Sequence, residues 1–283
     1  MPISRTSAAH EARMAIGQRL RALRKNAGLT VIELARQCGW HHAKTSRIEN
    51  AHTSPTPRDI RSWCTACGAD DQIEDLIEAS HNAETMYTEW RRKMRTGLRQ
   101  LQVSYGQLFH NTALFRVYSS RIVPGMLQTE GYAAALLRGI AAFHGIPDDA
   151  DDAAVARVNR SRIIHEPGRR FVLLVEEAAL HYRVGTADDM AAQLGGLLTA
   201  GALPAVSLGV IPANLPDRGI RPLEAFHVYD DTLVAVELLT ARVTVTQPSE
   251  VAQYLKAFEW LREQAVYGVD ARTLIVKAIE ALR

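Results

Sequence analysis

Apolar residues recur at helical spacing through the first eighty positions. From about Ser7 to Asn26, Ile16, Leu20 and Leu23 fall on one face and Ala27 continues the stripe, while Arg19, Arg21, Arg24 and Lys25 cover the rest. Gly28 is a C-cap candidate. Thr30 and Glu33 have capping-box spacing and open a short second helix that ends near Cys38, with Gly39 as its stop. A third helix is predicted over about His41 to Asn50. A fourth follows Pro55 and Pro57 from Arg58 to Cys67 and is ended by Gly68. A fifth runs from Asp70 to about Ser80.

Residues 81–110 stay helical in character without a clean amphipathic face, and the basic run Arg91, Arg92, Lys93, Arg95 and Arg99 lies here. Beyond about residue 112 short apolar runs take over. Strands are predicted at Ala113–Tyr118, Phe171–Val175 and Ala205–Ile211, and an antiparallel meander at Ala225–Tyr229, Leu233–Leu238 and Arg242–Thr246. Helices are predicted over Thr129–Ala142, through Val155 and Val158 to Ile164, over Thr186–Thr199 with Asp189 in capping-box spacing, and from Pro248 to about Ala265. Asp270 is expected to cap a last one. The fold class is therefore multidomain: an all-α head over 1–80, a helical connector over 81–110, and a mixed α+β domain over 111–283.

Composition changes this picture in one respect. The chain of 283 residues is 47 % apolar and carries a net charge of only +2, ordinary for a globular protein. Residues 1–60 nevertheless hold ten Lys/Arg against four Asp/Glu, a net of +6, which leaves −4 for the remainder. A basic head on a mildly acidic body suits a duplex-binding module, and equally a solvated basic face. Three cysteines are too few for a disulfide framework. No signal-peptide core and no apolar run of membrane-spanning length is present, so a cytoplasmic, nucleoid-associated location is expected.

The stretch Leu29–Asn50 carries the strongest local signal. Two helices crossing closely need a small residue, supplied by Ala35, and a turn residue tolerant of positive φ, supplied by Gly39. Thr45 and Ile48 are expected to face the first helix, with Leu34, Cys38 and Trp40 filling the wedge. The opposite face then presents His42, Lys44, Ser46 and Arg47, with Asn50 at its end. Such side chains donate to phosphates and guanine edges or bond adenine bidentately.

This stretch resembles the helix-turn-helix of the lambda-repressor-like (XRE) family, in Gly-Leu-Thr at 28–30, Glu33-Leu34-Ala35 and Ser46-Arg47-Ile48-Glu49. The resemblance implies base readers among His42, Lys44, Thr45 and Arg47. It implies phosphate contacts from Thr30, Ser46 and the loop from Thr53 to Arg58, with His41 and Asn50 at the helix ends completing the DNA-binding set. The chain departs from the family pattern at Val31, where Gln is frequent, at His41, where Ser or Thr usually caps, and at Ala51, where Gly is common. Lack of a cap at His41 would weaken the helix by about 1 kcal/mol.

The later segment Val123-Pro124-Gly125-Met126-Leu127-Gln128-Thr129-Glu130-Gly131-Tyr132-Ala133 resembles a motif of Streptomyces-type actinobacterial regulators with an antitoxin-like C-terminal domain. Val175-Glu176-Glu177-Ala178-Ala179-Leu180 and the Tyr229–Leu261 region also match. The resemblance implies an antitoxin-like or developmental regulator whose second domain binds a small protein encoded nearby, or a small signal, and so alters DNA binding. One small head makes few base contacts, so a homodimer on a roughly two-fold double-stranded operator is expected. The alternatives are an antitoxin-like module that sequesters the small partner, with autoregulatory DNA binding, and a small-ligand-sensing repressor. By themselves Gln128-Thr129-Glu130 read as a helix start, and Met126, Leu127 and Tyr132 as core. The acidic loop Asp148, Asp149, Asp151 and Asp152 reads as a solvated loop or a docking point for a basic partner.

Chemistry is sparse. Cys64 and Cys67 are half a metal site, which Cys38, His41, His42 and His52 would complete poorly, and they fit the buried side of the fourth helix better. Glu176 and Glu177, adjacent in an extended segment, point to opposite sides. No phosphate loop or hydrolase signature occurs. No catalytic residue, metal or cofactor is expected, and the chain is not expected to be an enzyme.

Overall fold

The computed structural model describes residues 5–82, 87–220 and 224–282. Residues 83–86 of the expected connector, and the side chains of Arg91 and Arg92 from its basic run, lie outside the described residues. The chain divides into two compact units. One comprises Met1–Tyr87 with the returning segment Thr244–Val251; the other comprises Thr88–Val243 and Ala252–Arg283. Residues 88–110 thus belong to the second unit.

In the first unit, α1 (Arg5–Asn26), α2 (Val31–Gln37), α3 (His42–Glu49), α4 (Pro57–Cys67) and α5 (Ile73–Asn82) pack around Leu20, Leu34, Ile48, Ile60, Trp63 and Leu76. Trp63 fills the centre, and its indole Nε1 donates to the Leu20 carbonyl at 3.0 Å, as a buried indole N–H requires. Starts and stops follow local chemistry. Thr30 and Glu33 close the expected capping box on α2. A second box, Thr56 with Asp59, starts α4 behind Pro57. Gly39 takes φ +71° in the turn between α2 and α3. Segment Thr244–Val251 docks by Ser249, whose backbone N–H donates to Asp75 Oδ1 at 3.1 Å and whose hydroxyl bonds Asp75 Oδ2.

The second unit holds most of a mixed sheet, of which Tyr87 and the last residues of β7 are counted in the first unit, as is the first turn of α13. In chain order its elements are β1 (Tyr87–Glu89), α6 (Trp90–Lys93), α7 (Leu98–Ser104), α8 (Gly106–Asn111), β2 (Leu114–Ser119), α9 (Glu130–His144), α10 (Ala150–Ser161), β3 (Arg170–Glu176), α11 (Glu177–His181), α12 (Ala187–Ala200), β4 (Val206–Ile211), β5 (Phe226–Tyr229), β6 (Leu233–Glu237), β7 (Ala241–Val245), α13 (Pro248–Gln264) and α14 (Gly268–Glu280). The sheet order is β1-β7-β6-β5-β2-β3-β4. β2, β3 and β4 run parallel, joined through helices as parallel neighbours must be. β5 is antiparallel to β2 and to β6. Strand β3, paired on both sides by β2 and β4, carries an unbroken apolar run because both its faces are covered; Phe171 stacks on Phe115 of β2 at 4.8 Å.

α9 and α10 approach through Ala133, Ala134 and Ala141 on one side and Ala150, Ala153 and Ala154 on the other. The acidic loop before α10 is occupied internally. Asp149 accepts the backbone N–H groups of Leu98 and Arg99 at 3.0 and 2.9 Å, capping α7 from a distant part of the chain. Asp148 and Asp151 pair with Arg138 at 3.3 and 2.8 Å. The motif at 123–132 is tied down by its own polar groups: Gln128 Nε2 donates to the Val123 carbonyl at 2.7 Å, and the Val123 N–H donates to Tyr132 Oη at 3.2 Å. Met126, Leu127 and Tyr132 are core residues. Glu176 is buried against Arg218 and Tyr118, while Glu177 accepts from the Ala213 N–H at 2.7 Å. One expected cap is corrected: α14 starts after Tyr267, leaving Asp270 inside the first turn, where it faces the helix dipole instead.

Candidate nucleic-acid interface

The short helix α3 is held from three directions. Thr45, Ile48 and Glu49 are buried. The Glu49 carboxylate receives a two-point contact from Arg24 of α1, Nε to Oε1 at 2.6 Å and Nη2 to Oε2 at 3.1 Å, while Arg24 Nη1 reaches the Leu29 carbonyl at 2.7 Å. Both residues are buried, and the hydrogen bond to Glu49 raises the Arg24 pKa above its ordinary value. Arg24 therefore leaves the solvated face the periodicity assigned to it and becomes the fastener between α1 and the end of α3. Gly17 permits that approach: a Cβ there would lie 2.6 Å from the Ile48 carbonyl oxygen.

The start of α3 is also secured, which corrects the expectation of an uncapped helix. His41 Nδ1 accepts the Ala43 N–H at 3.3 Å, so the imidazole does the work of a Ser or Thr cap. At the other end Asn50 closes the helix, and its Nδ2 donates to the Ser46 carbonyl at 2.8 Å. Ala51 then takes φ +56°, the left-handed conformation that the glycine usual at this place adopts without strain.

Stepping about 100° per residue, His42, Ala43, Ser46, Arg47 and Asn50 fall in one arc of α3. His42, Ser46, Arg47 and Asn50 are exposed there, and Ala43 is half-buried. His41 packs its ring against His42, with centroids 4.1 Å apart. Thr30, Thr53 and Arg58 are exposed, so these members of the expected DNA-binding set reach solvent. Thr30 does so with its hydroxyl already accepting the Glu33 N–H.

Two expected readers sit elsewhere. Thr45 has no exposed surface, and its Oγ1 accepts from Trp40 Nε1 at 2.9 Å. It packs the turn and cannot meet a base edge without unfolding the helix. Lys44 lies outside the exposed arc, toward α4. Its ammonium meets Asp59 Oδ1 at 2.6 Å and lies 4.7 Å from the Trp40 ring centre. Burial alone would raise the Asp59 carboxyl, but hydrogen bonds from Lys44 and Thr56 outweigh it and hold its pKa below the ordinary value.

Sequence reasoning passed over Asp59, Glu49 and Ala43. Asp59 was detectable as the third residue after Thr56, in capping-box spacing. Ala43 follows from its place one step after His42, and a methyl at that point suits a thymine methyl. The Arg24–Glu49 pair left no local signal, because its partners are 25 positions apart.

The cysteines belong to the packing. Cys64 is buried, and Cys38 donates to the Ser62 carbonyl at 3.4 Å. Burial pushes both thiols up to about 11. Among the described residues, no group of three or more His, Cys, Asp or Glu converges on a metal-sized point, and no helix is long and apolar enough to cross a membrane.

Comparison with known proteins agrees with the division into two units. A family model described as a helix-turn-helix domain matches residues 15–76. A second, described as a domain of unknown function (DUF5753), matches residues 110–277, more than half of the chain. No curated protein matches. Among solved structures the chain is similar to TrmBL2, an archaeal chromatin protein whose structure shows a novel mode of DNA binding. Identity is 13 %, over 88 % of this chain and 92 % of that one, and a TM-score of 0.30 leaves the likeness without argument.

Proposed function

The chain belongs to the family defined by the domain of unknown function DUF5753, and from that membership, joined to a helix-turn-helix head, we propose that it is a sequence-specific transcriptional regulator that reads operator DNA with α3. The observation that carries this reading is the exposed arc of His42, Ser46, Arg47 and Asn50 on a helix capped at both ends and fastened to α1. Arg47 offers a guanidinium fork suited to a guanine edge or a phosphate, and Asn50 an amide suited to adenine. The neighbouring Thr53 and Arg58 are placed for the backbone, where contacts position the helix without reading sequence. Lys44 and Thr45 support the arc from behind.

One head makes few base contacts, so a homodimer on a two-fold operator follows, with half-sites about one helical turn apart. The family domain is then the regulatory half, and control of the chain's own gene is the simplest circuit for such a protein. It acts wherever the chromosome lies.

Selection of bound DNA from a random pool by the full chain tests the reading. The expected result is an enriched two-fold motif. Arg47→Ala should lose about 1–3 kcal/mol of binding and relax one position of the motif, with unfolding unchanged. A pool that fails to enrich, or a motif identical for Arg47→Ala and His42→Ala, would overturn it.

A further inference from the structure

The second unit contains a cavity of about 720 Å³, in the range of small-molecule sites. Much of its wall is apolar, with Met94, Leu98 and Leu101 on one side and Leu136, Ile140 and Phe143 on another. Its polar end is strongly cationic. Arg157 and Arg160 of α10 and Arg242 of β7 all line it. Arg242 is almost fully buried. Arg160 lies 5.4 Å and Arg242 4.7 Å from the centre of the Tyr105 ring, and Lys93 lies 5.6 Å from the same centre.

None of these four cations takes part in an ion pair among the described residues. Two of them bond a glutamine instead: Arg157 donates to Gln102 Oε1 and Gln128 Oε1, and Arg160 Nη1 to the Gln102 carbonyl and Oε1. Among the described residues Glu237 also lines the cavity and ion-pairs with none of them, while Arg157, Arg160, Arg183 and Arg242 all line it. Burial lowers the pKa of His227, which also lines the cavity.

Among the described residues, two buried polar atoms at this end make no well-formed hydrogen bond: Tyr105 Oη, which Arg242 approaches as a donor but which finds no acceptor, and Arg160 Nε. Buried groups of this kind are normally satisfied, and buried charges are normally paired. Here the described residues supply one carboxylate, Glu237, that ion-pairs with none of these cations, and no acceptor for Tyr105 Oη or Arg160 Nε, beside a space large enough for a ligand that would supply both. Burial, followed by the charge of Arg157, pushes Arg160 down to about 10, as expected of a guanidinium short of negative charge.

We propose that this cavity binds a small amphipathic anion, its carboxylate or phosphate head held by Arg160, Arg242 and Tyr105 Oη and its apolar body lying against α7 and α9. The motif singled out in the sequence contributes directly, since Val123, Pro124 and Gly125 form part of the wall and Gln128 holds Arg157 in place. The proposal concerns the second unit alone and does not depend on DNA reading, so binding is measured without DNA.

Calorimetric titration of the full chain with decanoate, decyl phosphate, decanol and inorganic phosphate tests it. At least one of the two decyl anions should bind one per chain, roughly tenfold or more tighter than decanol or inorganic phosphate, since charge-assisted bonds supply the difference. The better of the two identifies the head group. Arg160→Gln with Arg242→Gln should weaken that binding by about tenfold or more, and Arg138→Gln, an exposed ion-paired control, should not. Tyr105→Phe removes only a hydroxyl that makes no well-formed hydrogen bond among the described residues, so it should weaken binding while leaving ligand-free unfolding nearly unchanged. Equal binding of decanol, indifference to the arginine changes, a structural collapse in Tyr105→Phe, or binding of none of the four probes would each overturn the proposal.

Discussion

Both units bury arginine, and they treat it in opposite ways. In the head, Arg24 meets a buried carboxylate through two parallel hydrogen bonds and gives a third to a backbone carbonyl. In the second unit, Arg160 and Arg242 lie over aromatic rings without an ion pair, beside a cavity. A buried cation whose surroundings are complete is a fastener: removing its partner strands a charge. A buried cation whose surroundings are incomplete is held there by the rest of the fold and is ready for a ligand. The same residue type therefore marks structure in one unit and binding in the other, and only the count of partners tells them apart.

The contrast is sharpest at Glu49. Glu49→Ala strands Arg24 and should cost the head about 3–5 kcal/mol, read by denaturant unfolding through Trp40 and Trp63. Arg242→Gln should cost far less without ligand, because it removes a charge that meets an aromatic ring but no ion-pair partner among the described residues. Equal losses in the two variants would erase the distinction. Gly17→Ala probes the same fastener from the other helix. Its Cβ would meet the backbone of α3, not a movable side chain, so a loss of about 1–3 kcal/mol is expected in the same assay.

A smaller effect separates Lys44 from the exposed arc. The native Asp59 pKa lies below its ordinary value. The stabilisation it contributes is therefore complete above the unfolded pKa, near about 4, and is lost as pH falls through the native value. Lys44→Ala and Asp59→Asn should each flatten this acid limb of head stability, whereas Arg47→Ala should leave it unchanged. The smallest effect is a gain. Ala51→Gly relieves a left-handed backbone position and should stabilise the head by about 1 kcal/mol, measured as a raised unfolding midpoint.

The order of elements was legible because helices and strands announce themselves locally. The capping boxes at Thr30 and Thr186 and the stop at Gly39 use residues three or four apart, and the apolar run of β3 follows from burial on both faces. The side of α3 that packs was also legible in Thr45 and Ile48, since an amphipathic period of 3.6 is a property of the sequence itself.

Which of the remaining polar residues are free was not. Lys44, Arg24 and Arg47 are alike as letters in a basic stretch, yet one is paired with Asp59, one is sealed against Glu49 and one is exposed. The three cations around Tyr105, namely Lys93, Arg160 and Arg242, share no spacing. Local pattern determines secondary structure because its hydrogen bonds and packing period lie within a few residues. Charge pairing and cavities are decided by tertiary structure, because a side chain's free energy depends on which distant groups the fold brings within a few ångströms of it.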